Sequence, residues 1–164
     1  MIGGPADPKR RPRVVTVQAV LLAFVAVSAI GGGLEMLLFP QGNPFVKAEW
    51  LDSVPVDDWI VPGLILGLGF GLGSALVLWG VLRRRGVGWL DRLATPTGHH
   101  WSWLGSMLLG AGLVLWILLE VALIPERSVV EAIYLVVGVA LVLLPFAPPV
   151  SAWLRSSERR LLAS

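Results

Sequence analysis

Four long stretches without a charged residue constrain this chain more than any other feature. They run from Val14 to Leu34, Trp59 to Leu82, Leu93 to Leu119 and Ala132 to Leu154. A helix of about 20 apolar residues crosses roughly 30 Å of hydrocarbon. In lipid only helices and closed barrels satisfy every backbone group, and these runs lack the two-residue alternation of barrel strands. The pattern therefore predicts an all-α fold, a polytopic four-helix transmembrane bundle.

We expect a single membrane domain over residues 1–164, with spans near residues 14–38, 59–82, 103–124 and 129–147. Composition agrees with this reading, because 55% of the residues are apolar and only 15% are charged. Soluble domains carry roughly 25% charged residues. These values exclude an intrinsically disordered chain and argue against a water-soluble globule.

Lysine and arginine residues predict the orientation, because they accumulate in cytoplasmic loops. Eleven of the 13 basic residues fall on one side of the predicted spans, and only Lys47 and Arg127 fall on the other. Both termini are therefore expected in the cytoplasm, with cytoplasmic tails at 1–13 and 153–164. The 40–58 segment becomes one ordered extracytoplasmic loop. An excess of arginine over lysine favours a bacterial source, so we expect a multi-pass protein of the bacterial plasma membrane.

The basic residues also indicate what the chain contacts. Arg83, Arg84 and Arg85 follow the second span, where they would meet anionic lipid headgroups at roughly 1 kcal/mol each. Because topology already accounts for the basic residues, no nucleic-acid partner is expected.

In the outer loop, Asn43-Pro44 is typical of a helix start, with a capping side chain followed by proline. We expect a short helix from Pro44 to about Ser53 that lies on the membrane surface or caps the bundle. An ordinary ordered loop is the alternative.

Small residues recur along the spans at the four-residue spacing that lets helices approach closely in lipid. We expect the packing faces to contain Gly63, Gly67, Gly71, Ala75, Ser102, Ser106 and Gly110. Packing inside one chain accounts for this pattern, and a homo-oligomer or a membrane partner is the alternative.

Acidic residues near the outer ends of the spans form a candidate outer-side carboxylate site, consisting of Glu35, Glu120, Glu131 and Tyr134. Acids within a span are functional candidates, because burying a charge in lipid is costly. Facing each other, Glu35 and Glu120 would suit a proton or cation; alternatively, each carboxyl reaches the headgroups. For Glu131 the simpler explanation is a capping box with Ser128. Tyr134 could bond a carboxylate or anchor the helix at the interface.

Glu35 and Glu120 occur in similar sequence segments. Leu34–Pro40 and Leu119–Pro125 share Leu, Glu, Leu and Pro at equivalent positions. Because both segments run outward, a duplication would give two parallel repeats.

No arrangement of residues indicates catalysis, a cofactor or a metal. The chain has no cysteine, and the neighbouring His99 and His100 point about 100° apart on a helix, which suits a shared metal poorly. We therefore expect a protein that is not an enzyme and has no cofactor.

Three segments resemble a group of small four-span bacterial membrane proteins of uncharacterised function. They are Gly31–Gly33, the entry to the second span at Val54–Gly63, and Trp116-Ile117. The resemblance implies the helix count and supplies no activity. The leading functional hypothesis is an accessory or small-solute-binding membrane subunit. The alternative is a small proton- or cation-coupled transporter that uses the outer carboxylates.

Overall fold

The computed structural model of the protein describes residues 11–44, 46–83, 87–94, 96, 98–124 and 126–154, apart from the side chains of residues 89 and 93. All regular structure in these ranges is helical, which confirms the predicted all-α class. The helices are α1 (Arg13–Leu38), α2 (Ile60–Arg83), α3 (Gly88–Ala94), α4 (Trp101–Leu123), α5 (Val129–Leu143) and α6 (Pro148–Trp153), with 3₁₀ helices at Ala48–Ser53 and Leu144–Phe146.

Four of these elements are long and apolar enough to cross a membrane. They are α1, α2, α4, and α5 continued by its 3₁₀ turn to Phe146, with lengths of 18 to 26 residues. Each begins and ends within about two residues of a predicted span. The predicted bundle of four spans is therefore confirmed, and the chain is a multi-pass membrane protein.

The outer surface of the bundle supports this conclusion. Large apolar side chains that stay exposed occur on every span, among them Val27 (75% exposed), Leu108 (65%) and Val136 (68%). Such a continuous apolar surface is rare on soluble monomers, and hydrocarbon is the solvent that suits it.

Side chains define where two spans begin. Asp58 Oδ1 accepts a hydrogen bond of 3.0 Å from Ile60 N at the start of α2. Ser128 Oγ accepts one of 3.0 Å from Val130 N at the start of α5. Both bonds satisfy amides that have no partner within the first helical turn, and the capping role of Ser128 was predicted from the sequence.

The spans form two hairpins that pack together. α1 packs along α2, and α4 packs along α5; α2 then contacts α4, and α1 contacts α5, which closes the bundle. We call the end with Leu38, Ile60, Leu123 and Val129 the acidic end. The opposite end, with Arg13 and Arg83, is the arginine end.

Glycines bring α1 and α2 into backbone contact. A Cβ atom built on Gly33 would lie 2.6 Å from Gly67 N and 2.7 Å from Gly63 O, closer than real Cβ atoms come. One built on Gly71 would lie 2.6 Å from Ile30 Cγ1. The small-residue stripe of α2 therefore packs against α1 within the chain, near the acidic end.

Within this contact α2 changes its winding. Residues Ile65–Leu72 form a π-helix between two α-helical stretches, and this segment contains Gly67 and Gly71. π-Helical turns are rare and concentrate at functional or strained positions. The sequence pattern did not predict this change.

The second hairpin uses glycine at a different height. A Cβ on Gly110 would lie 2.7 Å from Gly138 O, in the middle of the contact between α4 and α5. When the two hairpins are aligned in sequence so that Glu35 matches Glu120, Gly110 aligns with Val25 and Gly33 aligns with Leu118. The two hairpins therefore make their glycine contacts at positions that the sequence repeat does not relate.

Gly33→Ala should destabilise the bundle, because its methyl group would force the backbones of α1 and α2 apart. We expect a loss of about 1–3 kcal/mol, the usual cost of overpacking, measured as a lower thermal midpoint in detergent. Gly31→Ala is the matched control, because a Cβ there meets no atom within 4 Å. The control should leave the midpoint unchanged or raise it slightly, since alanine is the better helix former. Equal midpoints for the two variants would contradict the packing assigned to Gly33.

Candidate functional site

The segment between α1 and α2 covers the acidic end, and we call its residues 39–59 the cap. Phe39 N donates to Glu35 O (3.0 Å) as α1 ends, and Trp59 N donates to Pro40 O (3.0 Å) before α2 begins. These bonds draw the two ends of the cap together. At Gly42 the backbone has a φ of +102°, and a Cβ there would lie 2.5 Å from Ala48 N, so glycine is required on both counts.

The cap contains less helix than we predicted. A helix from Pro44 to Ser53 was expected, but the structure has only a 3₁₀ helix from Ala48 to Ser53. The reason is a tight turn, in which Asn43 N donates to Val46 O (2.7 Å) and Val46 N donates to Asn43 Oδ1 (2.8 Å). Asn43 therefore caps a turn instead of a helix.

The same asparagine attaches the cap to the first hairpin. Its Nδ2 donates to Glu35 Oε1 at 3.0 Å, near the end of α1. The amide oxygen of Asn43 accepts a hydrogen bond from Val46 N, and its amide nitrogen donates one to the Glu35 carboxyl group. Asn43 thereby holds the cap against α1. A charged acceptor makes such a bond stronger than a neutral one.

An ion pair attaches the cap to the second hairpin. Lys47 Nζ lies 2.6 Å from Glu126 Oε1, in the connection between α4 and α5, and 5.9 Å from the centre of the Trp50 ring. The hydrogen bond from Lys47 holds the pKa of the Glu126 carboxyl below its ordinary value, and the same bond raises the pKa of Lys47. Both side chains are about half exposed, so salt screens this attraction.

Beneath this ion pair lies a small cavity that contains two of the predicted carboxylates. Its volume is about 70 Å³, and its lining consists of Trp50, Glu120, Ile124, Glu126, Arg127, Ser128 and Glu131. Arg127 Nη1 donates to Ile124 O and, at 3.1 Å, to Glu126 O, which holds the connection between α4 and α5 in shape. The cavity has room for a few water molecules or a small ion.

The structure thus distributes the predicted site residues over three places. Glu120 and Glu131 share the cavity. Glu35 lies in the first hairpin, near the end of α1, where its carboxyl group accepts a hydrogen bond from Asn43. Tyr134 stacks on Phe24, with ring centres 5.4 Å apart.

Side chains at the arginine end join the helix termini to each other. His99 Nε2 lies 2.9 Å from Ser151 Oγ, and its ring stacks on Trp103 at 4.7 Å. His100 N donates to Leu154 O (2.7 Å), and the His100 ring caps α4 by accepting from Ser102 N. The two histidines therefore fasten α6 to the start of α4. Within the described ranges no group of three or more possible ligands could hold a metal ion.

Sequence analysis missed a polar contact inside the bundle. Gln18 is completely buried, and its Nε2 donates to Ser106 Oγ at 2.9 Å. The signal was present, because Ala29 and Leu22 lie seven residues apart on one face of α1, and Gln18 lies four residues before Leu22 on the same face. A polar residue on that face of an apolar run requires a partner.

Comparison with protein-family models, with curated proteins and with solved structures finds no match to this chain.

The Lys47–Glu126 pair predicts a pH dependence of the cap. Because folding lowers the pKa of Glu126, the pair stabilises the attached cap above the ordinary carboxyl pKa, and this stabilisation is lost as the pH falls through the lowered value. The raised pKa of Lys47 adds stability that persists until the solution becomes strongly alkaline. We expect protease cleavage within the cap to accelerate between about pH 5 and pH 3, and at neutral pH in high salt.

Glu126→Gln should make cleavage of the cap fast at neutral pH and remove most of its response to salt. Asp52→Asn is the control, since Asp52 is an exposed acid of the 3₁₀ helix and should leave the wild-type behaviour unchanged. If Glu126→Gln and wild type were cleaved at the same rate under all conditions, the ion pair would not hold the cap.

Proposed function

We propose that this chain is a non-enzymatic accessory subunit of the bacterial plasma membrane, which acts on a membrane partner through its cap. The proposal places the cap outside the cell and both termini in the cytoplasm.

The observation that carries the proposal is that the cap is attached to both hairpins. Asn43 holds it to α1 through Glu35, and Lys47 holds it to the second hairpin through Glu126. Loops between spans do not need such cross-connections to complete a bundle. A surface ordered before it binds loses less conformational entropy on association, so this arrangement supports a recognition surface.

The cavity beneath the ion pair measures about 70 Å³, whereas pockets that bind organic ligands usually measure roughly 300–1,000 Å³, so this cavity does not suit an organic solute. The exposed acids Glu49 and Asp52 on the cap would favour a partner with a basic surface.

The orientation is supported by the positions of the charged residues. Arg13 and Arg83 end their spans on the side opposite to the cap. By the positive-inside rule this side is cytoplasmic. There the exposed Arg83 would contact anionic headgroups; the predicted contacts of Arg84 and Arg85 lie outside the described residues.

Site-specific photo-crosslinking in intact cells tests the proposed role. A photoreactive residue at Ser53, which is exposed on the cap, should give a discrete cross-linked protein that mass spectrometry identifies. Lys47→Glu should abolish this product, because it repels Glu126 and releases the cap. The same photoreactive residue at the exposed Leu108, on the lipid-facing surface, is the control and should give lipid adducts only. A cap that cross-links to no protein, or equally well with Lys47→Glu, would contradict the proposal.

Reporter fusions test the orientation. An enzyme active only outside the cytoplasm should be inactive when fused after residue 164 and active when inserted in the cap after Ser53. An active carboxy-terminal fusion would reverse the orientation.

A second candidate, a proton- or cation-coupled transporter, is favoured by one observation, the shared cavity of Glu120 and Glu131. Two carboxylates in one small cavity can share a proton or a cation. If this candidate is correct, Glu120→Gln should abolish ion-dependent flux in proteoliposomes. Glu35→Gln, at a carboxylate outside the cavity, should retain it. Equal flux in all three proteins would exclude these carboxylates as the coupling site.

A further inference from the structure

A group of polar side chains lies in the interior of the bundle, away from the cap. Gln18 of α1 and Ser106 of α4 are completely buried, and Gln18 Nε2 donates to Ser106 Oγ at 2.9 Å. Ser106 Oγ lies 3.3 Å from Leu141 O of α5 and donates its proton there. Three of the four spans are thus connected by side-chain hydrogen bonds.

Ser74, on α2, belongs to the same level of the bundle. A Cβ built on its neighbour Gly73 would lie 3.2 Å from Leu109 Cδ2, and one built on Gly105 would lie 2.7 Å from Val77 Cγ2. Because α2 and α4 run antiparallel, Ser74 lies level with about Leu108 and Ser106 with about Leu76, so the two serines differ in depth by two residues, roughly 3 Å. Ser74 is also completely buried. The fourth span therefore contributes a polar group to this layer.

Two atoms of this layer have no protein partner. Gln18 Oε1 and Ser74 Oγ are both inaccessible, and neither has a hydrogen bond. A buried polar atom without a partner costs more free energy than a typical hydrogen bond contributes. Native interiors usually satisfy such atoms with ordered water.

We propose that the interior of the bundle holds a bound water molecule that bridges Gln18 Oε1 and Ser74 Oγ. The donors and acceptors are complementary. The single proton of Ser106 goes to Leu141 O, so Gln18 must turn its Nε2 towards Ser106 and its oxygen away. The water donates to Gln18 Oε1 and to the free lone pair of Ser106 Oγ, and it accepts the proton of Ser74. Three bonds are the usual number for a buried water.

Position and charge both favour water over a cation. Gln18 and Ser106 each lie five residues from the arginine end of their spans, about 7.5 Å along the helix axis. Water can reach this depth from the interface. A cation would bring a net charge into a layer of neutral groups, and nothing among Gln18, Ser74 and Ser106 would compensate it.

The direction in which Ser74→Ala changes the thermal midpoint in detergent tests the proposal. If water bridges the two residues, removal of the hydroxyl breaks a bond and lowers the midpoint by roughly 2–4 °C. If the layer is dry, the same change removes an unsatisfied group and raises the midpoint. Ser28→Ala is the control, because Ser28 Oγ bonds Phe24 O within its own helix at 2.7 Å and needs no water; its midpoint should remain near that of wild type.

The double variant Gln18→Met with Ser74→Ala provides the second measurement. If one water connects the residues, the second substitution costs much less than it does alone, because the bridge is already broken. A structure that resolves ordered waters should show one at about 2.7–3.0 Å from Gln18 Oε1 and Ser74 Oγ.

Three results would overturn the proposal. They are a raised midpoint for Ser74→Ala, additive effects in the double variant, and a wild-type midpoint that depends on sodium or potassium while that of Ser74→Ala does not. The last result would assign the site to a cation.

Discussion

The close approach of α1 and α2 at Gly33 is the contact on which most of the structure depends. In lipid, helices gain little from hiding apolar surface, so association depends on dispersion between atoms in close contact. Gly33 allows the backbone of α1 to touch that of α2 at Gly63 and Gly67. This contact sets the spacing of α1 and α2 near the acidic end, where Glu35 meets the cap.

The two ends of the bundle are held by interactions of different strength. At the arginine end the connections are buried or half-buried, including His100 N to Leu154 O and Trp153 Nε1 to Val81 O. At the acidic end the second hairpin is held to the cap by an exposed ion pair between Lys47 and Glu126, which water and salt weaken. The attachment of the cap to the second hairpin is therefore more sensitive to salt than the connections at the arginine end.

The polar layer around Gln18 adds directional hydrogen bonds to the interior of the bundle, where glycines bring the helices close together. Glycine contacts tolerate small rotations of a helix, whereas the bond from Gln18 to Ser106 requires one rotation of α1 relative to α4. Hydrogen bonds of this kind in membranes contribute about 0.6–2 kcal/mol each. Their value here is that they define one arrangement of the four spans.

The sequence by itself determined the number of spans, their ends, and the helix cap of α5 at Ser128, because these follow from length, hydropathy and local hydrogen bonds. It also indicated the small-residue face of α2, because the spacing is local. Only the tertiary structure decided what those residues meet. Helix pairing brings Gly33 to Gly67, Glu120 to the cavity of Glu131, and Glu35 to Asn43. The cap has only a short 3₁₀ helix because Asn43 forms hydrogen bonds with both Val46 and Glu35. Gln18 can form its hydrogen bond with Ser106 only because α1 and α4 pack together in the bundle. These contacts join residues of different elements, and hydropathy along the chain carries no information about which faces meet.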